Sequence, residues 1–262
     1  MNAQNSTVYE KFKKCNAYET AFELKKEGKV RHVGISFHDK AEVLDRILSE
    51  YPEIEIVQIQ FNYLDYESAS VDSKRVYEVC EKHDKPVLVM EPVKGGSLVR
   101  LPEEAQKALD ELQGGSNASY AIRFAAGFKN IRVVLSGMSD MDQMKDNVSF
   151  MENYEPLNEA ERSAIHKVCE VFQNMHNIPC TSCRYCIEEN KCPKNILIPD
   201  LFSSYNTKQI FDDWNAKHYY DRATVNHGRA SDCIRCGMCE RVCPQHLPIR
   251  ELLVQVAEQF DQ

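Results

Sequence analysis

Eight of the eleven cysteines fall in the last third of the chain, in two sets of matched spacing. The first set reads Cys180-x2-Cys183-x2-Cys186-x5-Cys192-Pro193, and the second Cys233-x2-Cys236-x2-Cys239-x3-Cys243-Pro244. The three leading cysteines of the two sets are separated by the same 53 residues. A constant offset marks an internal duplication, and four thiols in each copy mark one built to hold metal. Any fold for this chain must place those thiols around two centres.

Composition narrows the setting. A chain of 262 residues is long enough for a sizeable core and a second small domain. Hydrophobic residues at 43% and charged residues at 27% are ordinary for a globular protein. No apolar run reaches the ~18 residues of a membrane span, and the start, MNAQNSTVYEKFKK, lacks the apolar centre of a signal peptide. A cytoplasmic location follows as the expectation, where reducing conditions favour metal binding over disulfides. The net charge of −8 offers no basic field to nucleic acid.

Between residues 17 and 150 the pattern alternates between two periods. Ala17 to Glu27 reads as a helix, closed by Gly28 at the position that favours a left-handed residue. Lys25 and Lys26 precede it, where positive charge suits the helix dipole. Strands are predicted at 29–36, 54–61, 86–91 and 131–136, with helices at about 40–50, 68–83 and up to Ala126. Short β-rich runs separated by helices of this length predict right-handed crossovers and a parallel sheet of four strands. The fold class is therefore α/β. A new element follows, with Asn158 and Glu161 at capping-box spacing and Ile165, Val168, Cys169 and Phe172 on one face. The chain divides on this reading into 1–155 and a mainly helical 156–262, with 200–220 helical and Ile249 to Phe260 an amphipathic helix. Cys15, Cys80 and Cys169 stand apart from the motifs and read as ordinary side chains.

The segments KKEGKVRHVGISFH, VQIQFNYLD, VLVMEPVKGG and VLSGMSDMDQMKDN resemble the second half of the aldo/keto reductase barrel. With the paired cysteine motifs, the chain resembles the branch of that family that carries a C-terminal ferredoxin-like domain. The resemblance implies the C-terminal half of a (β/α)8 TIM-type barrel followed by a helical two-cluster domain. It also implies NAD(P)H as cofactor, a small-molecule carbonyl substrate in full-length members, and a redox partner protein. Ser36 and Gln58 would hold the nicotinamide carboxamide, and Gln143 and Asn147 would lie at the adenine end. Barrel phosphate sites lie in the loops after the last two strands. Here those loops are Lys94-Gly95-Gly96, where the backbone can approach a phosphate closely, and Ser136-Gly137-Met138, followed by a helix N-terminus. Many relatives have Arg where this chain has Gln143, so the choice between NADH and NADPH stays open.

In two-cluster ferredoxins a C-x2-C-x2-C turn supplies three ligands, and the cysteine before proline serves the other cluster. Applied here, one 4Fe–4S cluster takes Cys180, Cys183, Cys186 and Cys243, and the other takes Cys233, Cys236, Cys239 and Cys192. Zinc is the competing reading, but tetrahedral zinc sites are built from pairs of cysteines, and these motifs offer triplets.

The family's catalytic Asp, Tyr, Lys and His lie on the first half of the barrel, and no residue before 17 matches them. No catalytic residue is assigned. His32 reads as mid-strand, His38 as a strand-end residue near the cofactor face, and Tyr63 as a rim residue rather than a transferable proton donor. The chain reads as a shortened form of a longer reductase, with an internal methionine start and paired half-barrels as alternatives. Four strands cannot close a barrel, so self-association through open sheet edges is a further expectation. The leading function is an iron–sulfur oxidoreductase coupling nicotinamide hydride chemistry to two 4Fe–4S clusters, without carbonyl reductase activity in this form. The alternative is a ferredoxin-like electron-transfer module on a half-barrel scaffold.

Overall fold

The computed structural model describes residues 2–3, 6–68, 71–112, 115–175, 177–189, 192–211 and 213–261. The chain forms two compact units, Met1–Cys169 and Glu170–Gln262. The expected boundary near 155 lies ahead of the helix Glu159–Asn174, and the units divide inside that helix.

In the first unit the elements are β1 (Asn2–Ala3), α1 (Ser6–Lys14), α2 (Ala17–Lys26), β2 (Gly34–Phe37), α3 (Ala41–Glu50) and β3 (Ile56–Gln60). They continue with α4 (Ser73–Lys82), β4 (Val87–Met90), α5 (Glu103–Asp110), α6 (Asn117–Ala126), β5 (Ile131–Val134) and α7 (Met141–Glu152), and α8 (Glu159–Asn174) runs across the division. The strands form one sheet in chain order, β1 to β5, and every pairing is parallel. The four expected strands are thus present, and the two-residue β1 adds a fifth that the sequence reading did not include. The predicted strand 29–36 begins only at Gly34. Before it, Lys29 to His32 are exposed, and the backbone is tied to Glu55 instead: Glu55 Oε2 accepts from the Val33 N–H at 2.9 Å. His32 therefore lies ahead of the strand rather than within it, exposed and 3.2 Å from Glu55 Oε1.

Alternation explains which face of the sheet is covered. Ile35, Phe37, Val57, Ile59, Val87 and Val89 point to one side, where they pack with Leu44, Ile47 and Leu48 of α3 and Val76 and Cys80 of α4. Each fully buried aliphatic side chain there contributes about 1.5–3 kcal/mol. The opposite face carries Ser36, Gln58, Leu88 and Met90, all half-buried. Strand β2 can approach β3 only because residue 34 is glycine: a Cβ there would lie 2.7 Å from the Ile56 carbonyl oxygen. Helix α2 ends as predicted, with the Lys29 N–H donating to the Leu24 carbonyl at 2.9 Å and Gly28 at φ +73°. Helix α7 has no buried residue. Its Met141, Met144, Val148 and Met151 form an exposed apolar stripe.

The predicted capping box is present: the Glu161 N–H donates to Asn158 Oδ1 at 2.9 Å, and the Asn158 N–H donates to Glu161 Oε2 at 2.8 Å. Glu161 also receives both arms of Arg123, at 2.7 and 3.0 Å. Burial alone would raise the Glu161 pKa, but the Arg123 hydrogen bonds, the Asn158 N–H and the Arg123 charge bring it below the usual value. Cys169 donates to the Tyr63 carbonyl at 3.5 Å. Cys80 is fully buried, which pushes its thiol up to about 12.

The second unit is mainly helical. It contains α9 (Tyr185–Glu188), α10 (Ile198–Phe211), α11 (Ala216–Ala223) and α12 (Ile249–Phe260), with 3-10 turns at Ala230–Asp232 and Glu240–Val242. The segment expected as one helix over 200–220 is two, broken before Trp214, which is 83% exposed. Helix α12 matches its predicted limits and buries Ile249, Leu253, Val256 and Phe260. Phe260 stacks on Tyr220 at 4.7 Å, and the Tyr220 hydroxyl donates to Asp261 at 2.7 Å. No described helix is long and apolar enough to cross a membrane.

Candidate cofactor sites

The cysteine motifs repeat in backbone conformation as well as in spacing. Ser182 and Arg184 flank Cys183 with φ of +55° and +66°; Arg235 and Gly237 flank Cys236 with +57° and +71°. Three residues after Cys192 and Cys243, Asn195 and His246 take +53° and +50°. Left-handed residues alternating with right-handed ones form the backbone concavities that bind anions at phosphate and iron–sulfur sites. The extra residues of the first motif include Asn190 and Lys191, which lie outside the described residues.

Cys180, Cys183, Cys186 and Cys243 line one cavity. Three come from the first motif and the fourth from the Cys-Pro of the second. Ile198, Phe202, Leu247 and Ile249 wall it, and Thr181, Arg184 and Gln245 supply polar groups. Burial is the main cause that raises the Cys186 thiol pKa, and Cys180, Cys183, Cys243 and Cys239 add to it through like charge. Cys243 is also raised by burial, while the backbone N–H groups of Leu247, Gln245 and His246 pull the other way by bonding its sulfur. In the second set, Cys192 and Cys233 pack against the same apolar core as the buried Cys239. Burial and the neighbouring Glu240 push the Cys239 thiol up to about 12, with Cys233 contributing. Cys236 is exposed. Among the described residues, no three His, Cys, Asp or Glu side chains are arranged to hold a single metal ion. The four-thiol cavity, the repeated left-handed pairs and the N–H groups on Cys243 fit a sulfur-rich anionic cluster, whose thiolates spread around a cube.

On the barrel half, Ser36 and Gln58 are register partners on β2 and β3. The Ser36 hydroxyl lies 3.2 Å from His38 Nε2, and Gln58 Nε2 contacts Met90 Sδ at 3.5 Å. Past β4, Gly95 and Gly96 take φ of +61° and +93°, and nothing lies within 4 Å of a Cβ built on Gly96. Lys94 does not face outward. Its ammonium is buried and bonds Asp65 Oδ1 at 2.5 Å, with both side chains 4% exposed. Asp65 Oδ2 also accepts from Gln60 at 2.6 Å and Asn62 at 2.7 Å. Beside this network Glu91 adopts φ +56°; burial raises its pKa against the N–H of Gly95 and the charge of Lys94.

Past β5, Ser136 accepts from Asn147 at 3.0 Å, while Gly137 and Met138 are exposed. Gln143 Oε1 accepts from the Ser139 N–H at 2.8 Å. The N-terminus of α7 already has an anion: Asp140 Oδ1 accepts from the N–H groups of Asp142 and Gln143 at 3.0 and 2.9 Å. Tyr63 is 4% exposed and its hydroxyl has no hydrogen-bond partner among the described residues. The sequence reading missed Asp65. Its sign was the run Asn62-Tyr63-Leu64-Asp65, where Asn62 Oδ1 accepts from the N–H groups of Leu64 and Asp65 and folds the turn.

Comparison with known proteins agrees with this division. The 4Fe-4S dicluster domain model matches residues 179–248, so the C-terminal unit carries an iron–sulfur domain. Among solved structures, aldo-keto reductase AKR11C1 from Bacillus halodurans (holo form) is similar over 58% of this chain and 54% of that one, with 28% identity and a TM-score of 0.48. An aldo-keto reductase from Klebsiella pneumoniae in complex with NADPH is similar over 57% of this chain and 52% of that one, with 16% identity and a TM-score of 0.44. The chain spans about half the length of these structures. No curated protein matches it. The aldo/keto reductase family model matches residues 6–170, well over half of the sequence, and the chain belongs to the aldo/keto reductase family.

Proposed function

We propose that the protein is an iron–sulfur oxidoreductase in which a nicotinamide nucleotide site on the barrel half is coupled to two 4Fe–4S clusters in the C-terminal unit. The observation that carries this reading is the cavity shared by Cys180, Cys183, Cys186 and Cys243, the cross-ligated arrangement of a two-cluster domain. By the same rule Cys192 completes the set Cys233, Cys236 and Cys239. When bound, the clusters supply one-electron transfer. The chain's own contribution at the first site is an apolar wall of Ile198, Phe202, Leu247 and Ile249 that excludes water, and N–H groups that favour the Cys243 thiolate.

The nucleotide reading rests on the adjacent Ser36 and Gln58 for the carboxamide, the open backbone at Gly95 and Gly96, the Ser136-Gly137-Met138 loop, and Gln143 and Asn147. Lys94 enters it as a positioning residue, since Asp65 holds its charge. Hydride carries two electrons and each cluster one, so a cluster pair is a fitting acceptor or donor. A cytoplasmic setting, a redox partner protein and a small-molecule carbonyl substrate for the longer family members complete the reading. The 262-residue chain itself is expected to reduce no aldehyde with NADPH.

Anaerobically prepared protein should contain iron and acid-labile sulfide, with broad visible absorption that bleaches on reduction. Zinc without sulfide would refute the iron–sulfur assignment. A second reading, the electron-transfer module on a scaffold, draws on two features: Asp65 engages Lys94 and Asp140 caps α7, so two groups expected at phosphate are already satisfied. Calorimetric titration with NADH and NADPH separates the two: no heat from either nucleotide, with redox-active clusters, favours the module.

A further inference from the structure

The two cysteine sets sit in unlike surroundings. The first lines an apolar cavity, with the adjacent Gln245 only 3% exposed. In the second, Cys236 is exposed, Ile234 is 56% exposed, and Arg235 is exposed between them. Residues 229–250 carry four arginines against two carboxylates, Asp232 and Glu240, in a chain of net charge −8. Arg250 is held by Glu240 at 2.8 Å, and its guanidinium lies over Gly237, 3.7 Å from where a Cβ would stand. Arg235 contacts the Arg250 carbonyl at 3.5 Å. Arg229 is paired with Asp261 at 2.8 Å, so Arg235 is the arginine that stands beside the exposed Ile234, an apolar centre with a charged edge as in a small interface.

We propose that the surface formed by Ile234, Arg235 and Cys236 is the port through which the second cluster exchanges electrons with a small acidic carrier protein. This inference rests on the two-cluster reading. Electron exchange between proteins weakens steeply with separation, so the set with a solvent-facing ligand is the one a partner reaches. One electron leaves the reduced carrier, whose redox centre is oxidised by one unit, and the second cluster is reduced by one. No bond forms or breaks and no proton moves. The charge of Arg235 steers the acidic carrier onto the site, which makes association sensitive to salt.

The test uses the full chain with its clusters rebuilt anaerobically and an acidic plant-type 2Fe–2S ferredoxin as probe. Binding is measured by calorimetry and electron transfer by stopped flow, each at low and high ionic strength. Ile234→Asp places a repelling charge at the centre of the port. Arg235→Asn removes the positive charge and keeps a residue that tolerates the left-handed conformation. Each variant is expected to weaken ferredoxin binding by about tenfold or more, equivalent to about 1.4 kcal/mol, and to slow transfer in step. Arg235→Asn should also flatten the salt dependence, while photoreduction by a neutral deazaflavin and the paramagnetic resonance spectrum stay as in the parent. Losses below about threefold in both variants, with full iron and sulfide content, overturn the port alone. A preparation without acid-labile sulfide overturns the cluster reading and the port with it.

Discussion

Replacing Asp65 with Asn tests how the loop after β4 is held. Asp65 is the only carboxylate bonded to the buried Lys94 ammonium among the described contacts, and it accepts three bonds at 2.5 to 2.7 Å. The variant keeps the shape and removes the charge, and its amide sets a donor against donors from Lys94, Gln60 or Asn62. Leaving one member of a buried pair uncompensated costs about 3–5 kcal/mol. For a unit of this size each kcal/mol moves the unfolding midpoint by about 2–4 °C, so the expected loss is about 6–20 °C. Thermal and urea unfolding followed by circular dichroism would read it. The double variant Asp65→Asn/Lys94→Met should recover at least half of the loss, because no charge is then left buried. A single-variant loss below about 1 kcal/mol, or a double variant as unstable as the sum of the singles, would refute the reasoning.

Three further outcomes are expected. Arg123→Met strips both bonds from the buried Glu161 and should cost about 3–5 kcal/mol. In the parent, the depressed Glu161 pKa contributes stability above the ordinary carboxylate range that is lost as pH falls through the folded value, and the variant should lose that acid-side slope in urea titrations. Glu91 works in the opposite sense. Burial raises its pKa, so its ionisation costs stability as pH rises through the folded value, and Glu91→Gln should gain more stability at pH 7 than at pH 4. Cys243→Ser should remove iron and sulfide from the site of the first motif, not the second, which cluster analysis paired with resonance spectra of Cys180→Ser can check. If Cys243→Ser instead matches Cys233→Ser, the cross-ligated assignment fails.

Much of this architecture is legible in the sequence, for physical reasons that also explain the misses. Residues 56–60 and 87–90 are β-rich runs whose alternate members are buried, so a period of two marks them as strands. The capping pair Asn158 and Glu161 is local, three residues apart, and could be read directly. Its partner Arg123 is 38 residues away from Glu161 and carries no pattern of its own. Lys94 stands beside two glycines in a loop whose backbone can approach a phosphate; the carboxylate that holds its ammonium is 29 residues earlier. Val30 and Val33 suit a strand and extend the predicted run back to 29, yet the neighbouring strand that would pair with them starts only at Ile56. The cysteine motifs are the clearest signal, and they lie in the segment that the 4Fe-4S dicluster domain model matches.

The repeated left-handed residues in the two motifs carry a genetic consequence. At Ser182, Arg184, Asn195, Arg235 and His246 an L-residue holds a conformation that costs about 1–2 kcal/mol outside glycine. Selection at these positions therefore acts on a dihedral angle more than on a side chain. A saturation library should show Gly and Asn enriched at Ser182, Arg184, Asn195 and His246, and β-branched residues depleted, whatever the surrounding sequence. Gly237 should tolerate Asn better than Val. Such a profile, recurring 53 positions apart at 182 and 235 and at 184 and 237, and 51 apart at 195 and 246, would expose the duplication in variant fitness even where the two copies no longer share a single side chain between their cysteines.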